Sequence, residues 1–460
     1  MNRRILTAAV LFTLCTSTLR AQIAHIPPPG SETRSFDLTA TPPPIPALKY
    51  QFVYPYSDRL SGNAAPLLLD AILLMGPTAP DTAGKAIDAY DAKDFKTFDT
   101  LADSLILTSM WQELDPAIRR MDSNFDPPIR EMAEQTLLPH LQSLRSIGFI
   151  IKVRALRLTE QGKLDDAIST LRLGYELADK ITDPVVISSL VSIGCTRLMN
   201  DTLPVIMNHP DAPNLYWALS EIPSRRTILR RSWDAESDWV IVCHPFIARL
   251  RAGQEPTADQ WHTILIDDMA PFYTITGQTP HPDPIKDASA DILRRAQQDY
   301  ADSHHVTPDQ AAKLDPAILL GHFYFRQWKL ASDDLAKIGN LPYPAILAKT
   351  NDYNNEITRL KKEQPTNPFF KFLSDMHRVA YSFARTDREL AALTTVEALR
   401  SYASSHDGSL PAHLEDITET PAPINPATGD PFEYQLENNV ATLSDTHSES
   451  HLTYTVRLRK

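Results

Sequence analysis

Glycine is scarce in this chain: 14 residues in 460, about 3% against an ordinary ~7%. A glycine-rich phosphate cradle and an all-β fold both draw on glycine for tight turns, and neither fits. Cysteine is scarcer still. Three residues exclude a disulfide-dense scaffold and a zinc site of four thiolates. Basic charge is outweighed, 45 Lys and Arg against 57 Asp and Glu for a net charge of −12, so the clustered positive footprint that nucleic-acid binding requires is missing. Catalytic signatures are absent too: H-E-x-x-H, G-x-S-x-G, G-x-x-x-x-G-K-[ST] and C-x-x-C all fail. The apolar run Leu67–Met75 is interrupted by Asp70 and falls short of the ~20 residues a membrane span takes. No stable span is expected after the N-terminus.

What is present is enough apolar residue, 43%, to exclude wholesale disorder, and length for two or three domains. The first residues pair Arg3 and Arg4 with an apolar stretch from Ile5 to Cys15 and a small residue, Ala21. That pattern reads as a secretory signal cleaved near Ala21, and the expected location is extracytoplasmic, periplasmic or secreted. An N-terminal core helix or an uncleaved anchor is the plainer alternative. Cys195 and Cys243 would survive cleavage. They could pair in an oxidising compartment, but both lie in apolar helical patterns, and buried free thiols are expected.

Residues 22–48 carry seven of the 37 prolines and read as a polyproline-like linker. Leu48, Tyr50, Phe52 and Tyr54 alternate with Lys49, Gln51 and Val53, predicting one short strand. From about residue 62 to 385 the pattern is helical almost throughout. Over 128–160, Ile129, Met132, Leu137, Leu141, Leu144, Ile151 and Leu158 recur at helical spacing. Asp183-Pro184, Thr307-Pro308, Asp315-Pro316 and Asn367-Pro368 read as helix starts, each a capping side chain followed by a proline with no N–H to lose. The stretch Arg154–Ile168, with Gly162 at a turn and Ala167 permitting close approach, resembles one tetratricopeptide-type helical hairpin, with Ala86–Ile106 a fainter second. In residues 386–460 a helix gives way to period-two stretches at 432–436, 440–444 and 452–458. The expected fold is mostly α: an irregular multi-helix body over 49–385 and a small C-terminal α+β module.

Within that module, Glu397-Ala398-Leu399-Arg400-Ser401-Tyr402-Ala403, Asp407-Gly408-Ser409-Leu410-Pro411 and Asn425-Pro426 through Phe432-Glu433-Tyr434 resemble the C-terminal half of type II secretion pseudopilins. The resemblance covers about 60 residues and implies a helix ending in tyrosine, a Gly-x-x-Pro turn and an aromatic strand. Asn425 stands where those proteins carry an acid. The whole chain, including Gly62-Asn63-Ala64-Ala65-Pro66, resembles uncharacterised exported bacterial helical proteins with the same tail, a resemblance that implies no activity.

Several constellations carry groups capable of chemistry. His304-His305 with Asp302 and Asp309 is the most metal-like, but neighbouring side chains diverge, and Asp309 belongs to a capping box. His281 and Asp283 lie in a proline-rich loop. His140, His322 and His377 lie beside apolar helical faces and read as satisfied, partly buried histidines. The pairs Asp165-Asp166, Asp267-Asp268 and Asp333-Asp334 diverge by ~100° on a helix and read as solvated faces. Arg225, Arg226, Arg230 and Arg231 form the one basic island, a possible anion-binding site, set against a solvated face paired with Asp234, Glu236 and Asp238. No catalytic, cofactor-binding or metal-ligating residue is assigned. The expected function is an exported, non-catalytic helical binding or scaffold protein with protein partners in the cell envelope. The alternative is an extracytoplasmic hydrolase with a site assembled from distant residues.

Overall fold

The computed structural model describes residues 31–106, 109–128, 138–183, 185–243, 250, 253–270, 283–373, 376–446 and 448–459, and for 236–243 the backbone alone. The signal expected at 1–21, the Cys243 side chain and His281 lie outside the described residues. Among the described residues 61% are helical, with a small C-terminal sheet, a mostly-α body with an α+β module.

Strand β1 (Glu32–Leu38) opens the described chain, and β2 (Leu60–Asn63) follows a loop. Next come helices α1 (Ala65–Met75), α2 (Ala79–Asp91), α3 (Phe95–Ile106) and α4 (Met110–Ile118), then β3 (Arg120–Asp122), which pairs with β2. Helices α5 (Pro139–Glu160), α6 (Leu164–Lys180), α7 (Val186–Met207) and α8 (Tyr216–Ser220) continue the chain. They are followed by α9 (Arg226–Cys243), α10 (Ala258–His262), α11 (Ala290–His304) and α12 (Pro308–Ala311). Helices α13 (Pro316–Ile338), α14 (Tyr343–Glu363) and α15 (Met376–Ser404) precede β4 (Glu433–Glu437), β5 (Val440–Asp445) and β6 (Leu452–Leu458). The chain forms two compact units, one from residues 28–127, 137–232 and 381–460, the other centred on 233–380.

In the first unit, Leu144, Ile147 and Ile151 of α5 meet Leu171 and Tyr175 of α6 and Met199 and Leu203 of α7, all buried. Each such aliphatic side chain contributes roughly 1.5–3 kcal/mol on burial. The helices approach closely because Gly174 carries no side chain: a Cβ there would sit 2.0 Å from Met199 Sδ. Gly162 turns the chain between α5 and α6 at φ +70°, a conformation glycine adopts without steric cost. The expected hairpin over 154–168 is therefore present, with Ala167 buried at its seam.

The sheet runs β1-β6-β5-β4. Alternate residues Ala441, Leu443, Leu452, Tyr454 and Val456 face inward and share a core with Leu393, Val396 and Leu399 of α15. Three of the four strands match the period-two stretches. The fourth corrects the linker reading of 22–48: residues 32–38 are a strand, parallel to β6 from Glu32↔Leu452 to Leu38↔Leu458.

The strand expected at 48–54 does not form. Phe52 and Tyr54 are buried, but the Tyr54 N–H donates to the Glu176 carboxylate at 2.7 Å, so a side chain takes the backbone bond a strand partner would need. Of the expected caps, Thr307 accepts from the Gln310 N–H, Asp315 from Ala317 and Asn367 from Phe369. Asp183 is not a cap. The N-cap of α7 is Val185, and the Asp183 carboxylate instead meets His140 Nε2 at 2.7 Å. Among the described residues no helix is long and apolar enough to cross a membrane.

Candidate metal centre

Three side chains from three elements of the second unit converge. Glu255 lies in the loop before α10, two residues ahead of Thr257, whose capping box with Gln260 fixes the start of that helix. His304 is the last residue of α11, and His322 lies on α13. The His304 Nε2 is 3.2 Å from one Glu255 oxygen, and the His322 Nε2 is 2.6 Å from the other. One ligand atom of each residue lies within 4.8 Å of those of the other two. Around a tetrahedral zinc with bonds of about 2.0–2.1 Å, ligand atoms stand about 3.3 Å apart. The two acid-to-ring separations, 3.2 and 2.6 Å, lie at or below that value. Glu255 is half exposed, so its carboxylate has room to adjust.

The polarity of the rings bears on what fits between them. His304 Nδ1 faces the Tyr300 carbonyl at 3.0 Å. The neighbouring Ser303 hydroxyl lies 2.8 Å from the Asp299 carbonyl and donates there. Both surroundings place the proton of a neutral ring on Nδ1, which leaves Nε2 with a lone pair. A lone pair aimed at a carboxylate is repulsive unless positive charge lies between them, either a second ring proton or a metal ion. The helix C-terminus where His304 sits favours such a charge, and an N–H held by a backbone carbonyl is the outer contact that orients a metal-binding imidazole.

The rings are further fixed by stacking of His304 on Tyr300, centroids 3.9 Å apart, and by edge contacts of His322 with Tyr300 at 5.3 Å and His304 at 4.7 Å. Burial alone would raise the Glu255 carboxyl. The hydrogen bonds and charges of His322 and His304 outweigh it and hold the group below its usual range. Burial and the Glu255 charge together push the Tyr300 phenol up.

The chain matches no protein-family profile, no curated protein and no solved structure. Its functional reading therefore rests on its own residues.

Of the sequence cluster, only His304 joins this centre. Asp302 accepts from Gln298 Nε2 at 2.8 Å, His305 terminates α11 with φ +55°, and Asp309 lies in the capped turn α12. His140 pairs with Asp183, and His377 Nδ1 is 3.0 Å from the Thr350 hydroxyl. The four arginines of the basic island differ in burial. Arg225 is buried and paired with Asp179, and its backbone N–H donates to Asp387 at 3.0 Å. Arg226, Arg230 and Arg231 are exposed on α9. Cys195 is a buried free thiol, pushed up to about 12 by burial.

Proposed function

We propose that this protein binds a divalent transition-metal ion through Glu255, His304 and His322. The observation that carries this reading is the convergence of two imidazole nitrogens and a carboxylate within 4.8 Å. Imidazole with carboxylate suits zinc and its neighbours in the first transition row rather than magnesium or calcium, which prefer all-oxygen sets. A bound ion would tie the 253–257 loop to α11 and α13, so the binding function would also be an architectural one.

This reading refines the exported helical binding protein expected from the sequence. Export is supported by Arg3, Arg4 and the Ile5–Cys15 stretch, and partners in the cell envelope by the pseudopilin-like segments between Glu397 and Tyr434. A second reading, a hydrolase, is favoured by the ligand count alone. Three protein ligands leave a position for water, as catalytic zinc sites do.

Zinc titration of chelator-treated protein by calorimetry tests the proposal. One ion should bind per chain. Glu255→Gln and His322→Ala should each weaken binding by more than the roughly 10–100-fold that losing an outer-shell partner costs, while Arg226→Gln leaves it unchanged. Wild-type protein that takes up no zinc, or triad variants that bind as wild type does, would overturn it. Turnover of a p-nitrophenyl ester that needs both zinc and His322 would select the hydrolase.

A further inference from the structure

Strand β1 carries a charge into the first unit. Glu32 faces Glu389 of α15, with 9% and 1% of their side chains exposed. One oxygen of each is well served. Glu32 Oε1 accepts from the Tyr454 hydroxyl at 2.5 Å and meets Arg34 Nε at 2.9 Å. Glu389 Oε1 accepts from Arg385 Nε at 3.0 Å. The two Oε2 atoms are buried and receive no N–H or O–H donor, and the two carboxyl groups lie within side-chain hydrogen-bonding reach of one another.

The surrounding charges do not resolve this. From β1, Arg34 is shared among Glu32, the Asn200 carbonyl and Asp201 of α7, the last at 2.7 Å. Arg197 of α7 stops 3.5 Å from Glu389 Oε2, and Arg385 of α15 stops 3.7 Å from Glu32 Oε2. From β6 comes Tyr454. The Tyr175 phenol of α6 is occupied by Asn200 at 2.9 Å. Two acceptor-only oxygens in contact repel each other, and a single proton between them turns the contact into a strong O–H···O⁻ bond.

We propose that Glu32 and Glu389 share one proton, and that this proton clamps strand β1 to helix α15 and releases its hold as the pH rises. Burial pushes Glu389 up to about 7, with Arg197 and Arg385 offsetting it only in part. For Glu32, burial also acts upward, but Arg34, the bond to Glu389, Tyr454 and Arg385 outweigh it and hold the carboxyl below its usual range. The sign follows from linkage. Between about 4.5 and about 7 the folded chain keeps the Glu389 proton that the unfolded chain has given up. Its contribution to stability therefore falls as pH rises through that window. Glu32 works the other way, and its contribution is lost only at lower pH.

The experiment is amide hydrogen exchange of β1 in the full chain, corrected for intrinsic rates, with urea unfolding between pH 4.5 and 8.5. In the wild type, β1 exchange should quicken relative to α5 by about tenfold, the factor worth one unit of differential protonation, and the urea midpoint should fall from pH 5 to 7.5. Glu389→Gln keeps an N–H directed at Glu32 at every pH, and both trends should vanish. Glu32→Gln supplies the same donor from the other side and should behave alike. A wild-type slope retained in either folded variant, or β1 exchange flat with pH in the wild type, would overturn the proposal.

Discussion

Replacing Arg400 with Met should destabilise the first unit by about 3–5 kcal/mol, the usual cost of stripping a partner from a buried charge. Both Arg400 and Glu397 are fully buried on α15. The guanidinium reaches both Glu397 oxygens at 2.9 Å. It also donates to the Thr39 carbonyl at 3.1 Å and the Ala212 carbonyl at 2.8 Å. One side chain thus joins the segment after β1, the loop before α8 and the long helix. Methionine can fill much of the volume but donates nothing, leaving a carboxylate that burial already pushes upward without its counter-charge. Urea denaturation measures the loss. The double variant Arg400→Met/Glu397→Met should recover a large share of it, because the orphaned charge goes with its partner. A single variant within 1 kcal/mol of wild type would show that the pair contributes little.

The second large effect belongs to Gly321 of α13, directly before His322. A Cβ built there would lie 2.2 Å from the Trp261 indole and meet no alternative space on that side. Trp261 is fully buried and stands on α10, just after the loop that carries Glu255. Gly321→Leu should therefore cost about 3 kcal/mol or more, the upper end of what overpacking a filled core does, with Gly321→Ala intermediate. Because the same displacement shifts α13 against the Glu255 loop, zinc affinity should fall in step with stability across the series. Denaturation midpoints and zinc titrations on the same preparations check both. Stability lost with affinity intact would mean that Trp261 does not position the loop.

How legible the molecule is in its sequence depends on where each pattern resides. The helices and strands β4 to β6 are legible because their apolar spacing is local: Leu452, Tyr454 and Val456 announce a face by themselves. Strand β1 is not, since half of its inward positions are charged. Glu32 and Arg34 stand where a strand pattern expects apolar residues, and only Phe36 and Leu38 conform. The proposed metal centre hides for a related reason. Glu255, His304 and His322 are separated by 49 and 67 positions from the acid to each ring, too far for any spacing rule. Of the adjacent pair His304-His305, only His304 joins the cluster. The one available signal is a histidine on each of two long amphipathic helices, and it becomes useful only once α11 and α13 are known to pack together. Arg225 is set apart from the other three arginines by its burial, which a run of four arginines does not disclose.

The parallel pairing of β1 with β6 joins residues whose partners lie 420 positions apart, as Glu32↔Leu452 does. A ribosome delivers the first of these strands long before the last. While the intervening helices assemble, the early segment must wait with its Glu32 and Arg34 still in water, and the sheet closes only when the final strand arrives. Vectorial synthesis thus keeps this seam open until Leu452–Leu458 has been made, and a chain cut short before Leu452 would leave its opening strand without a mate.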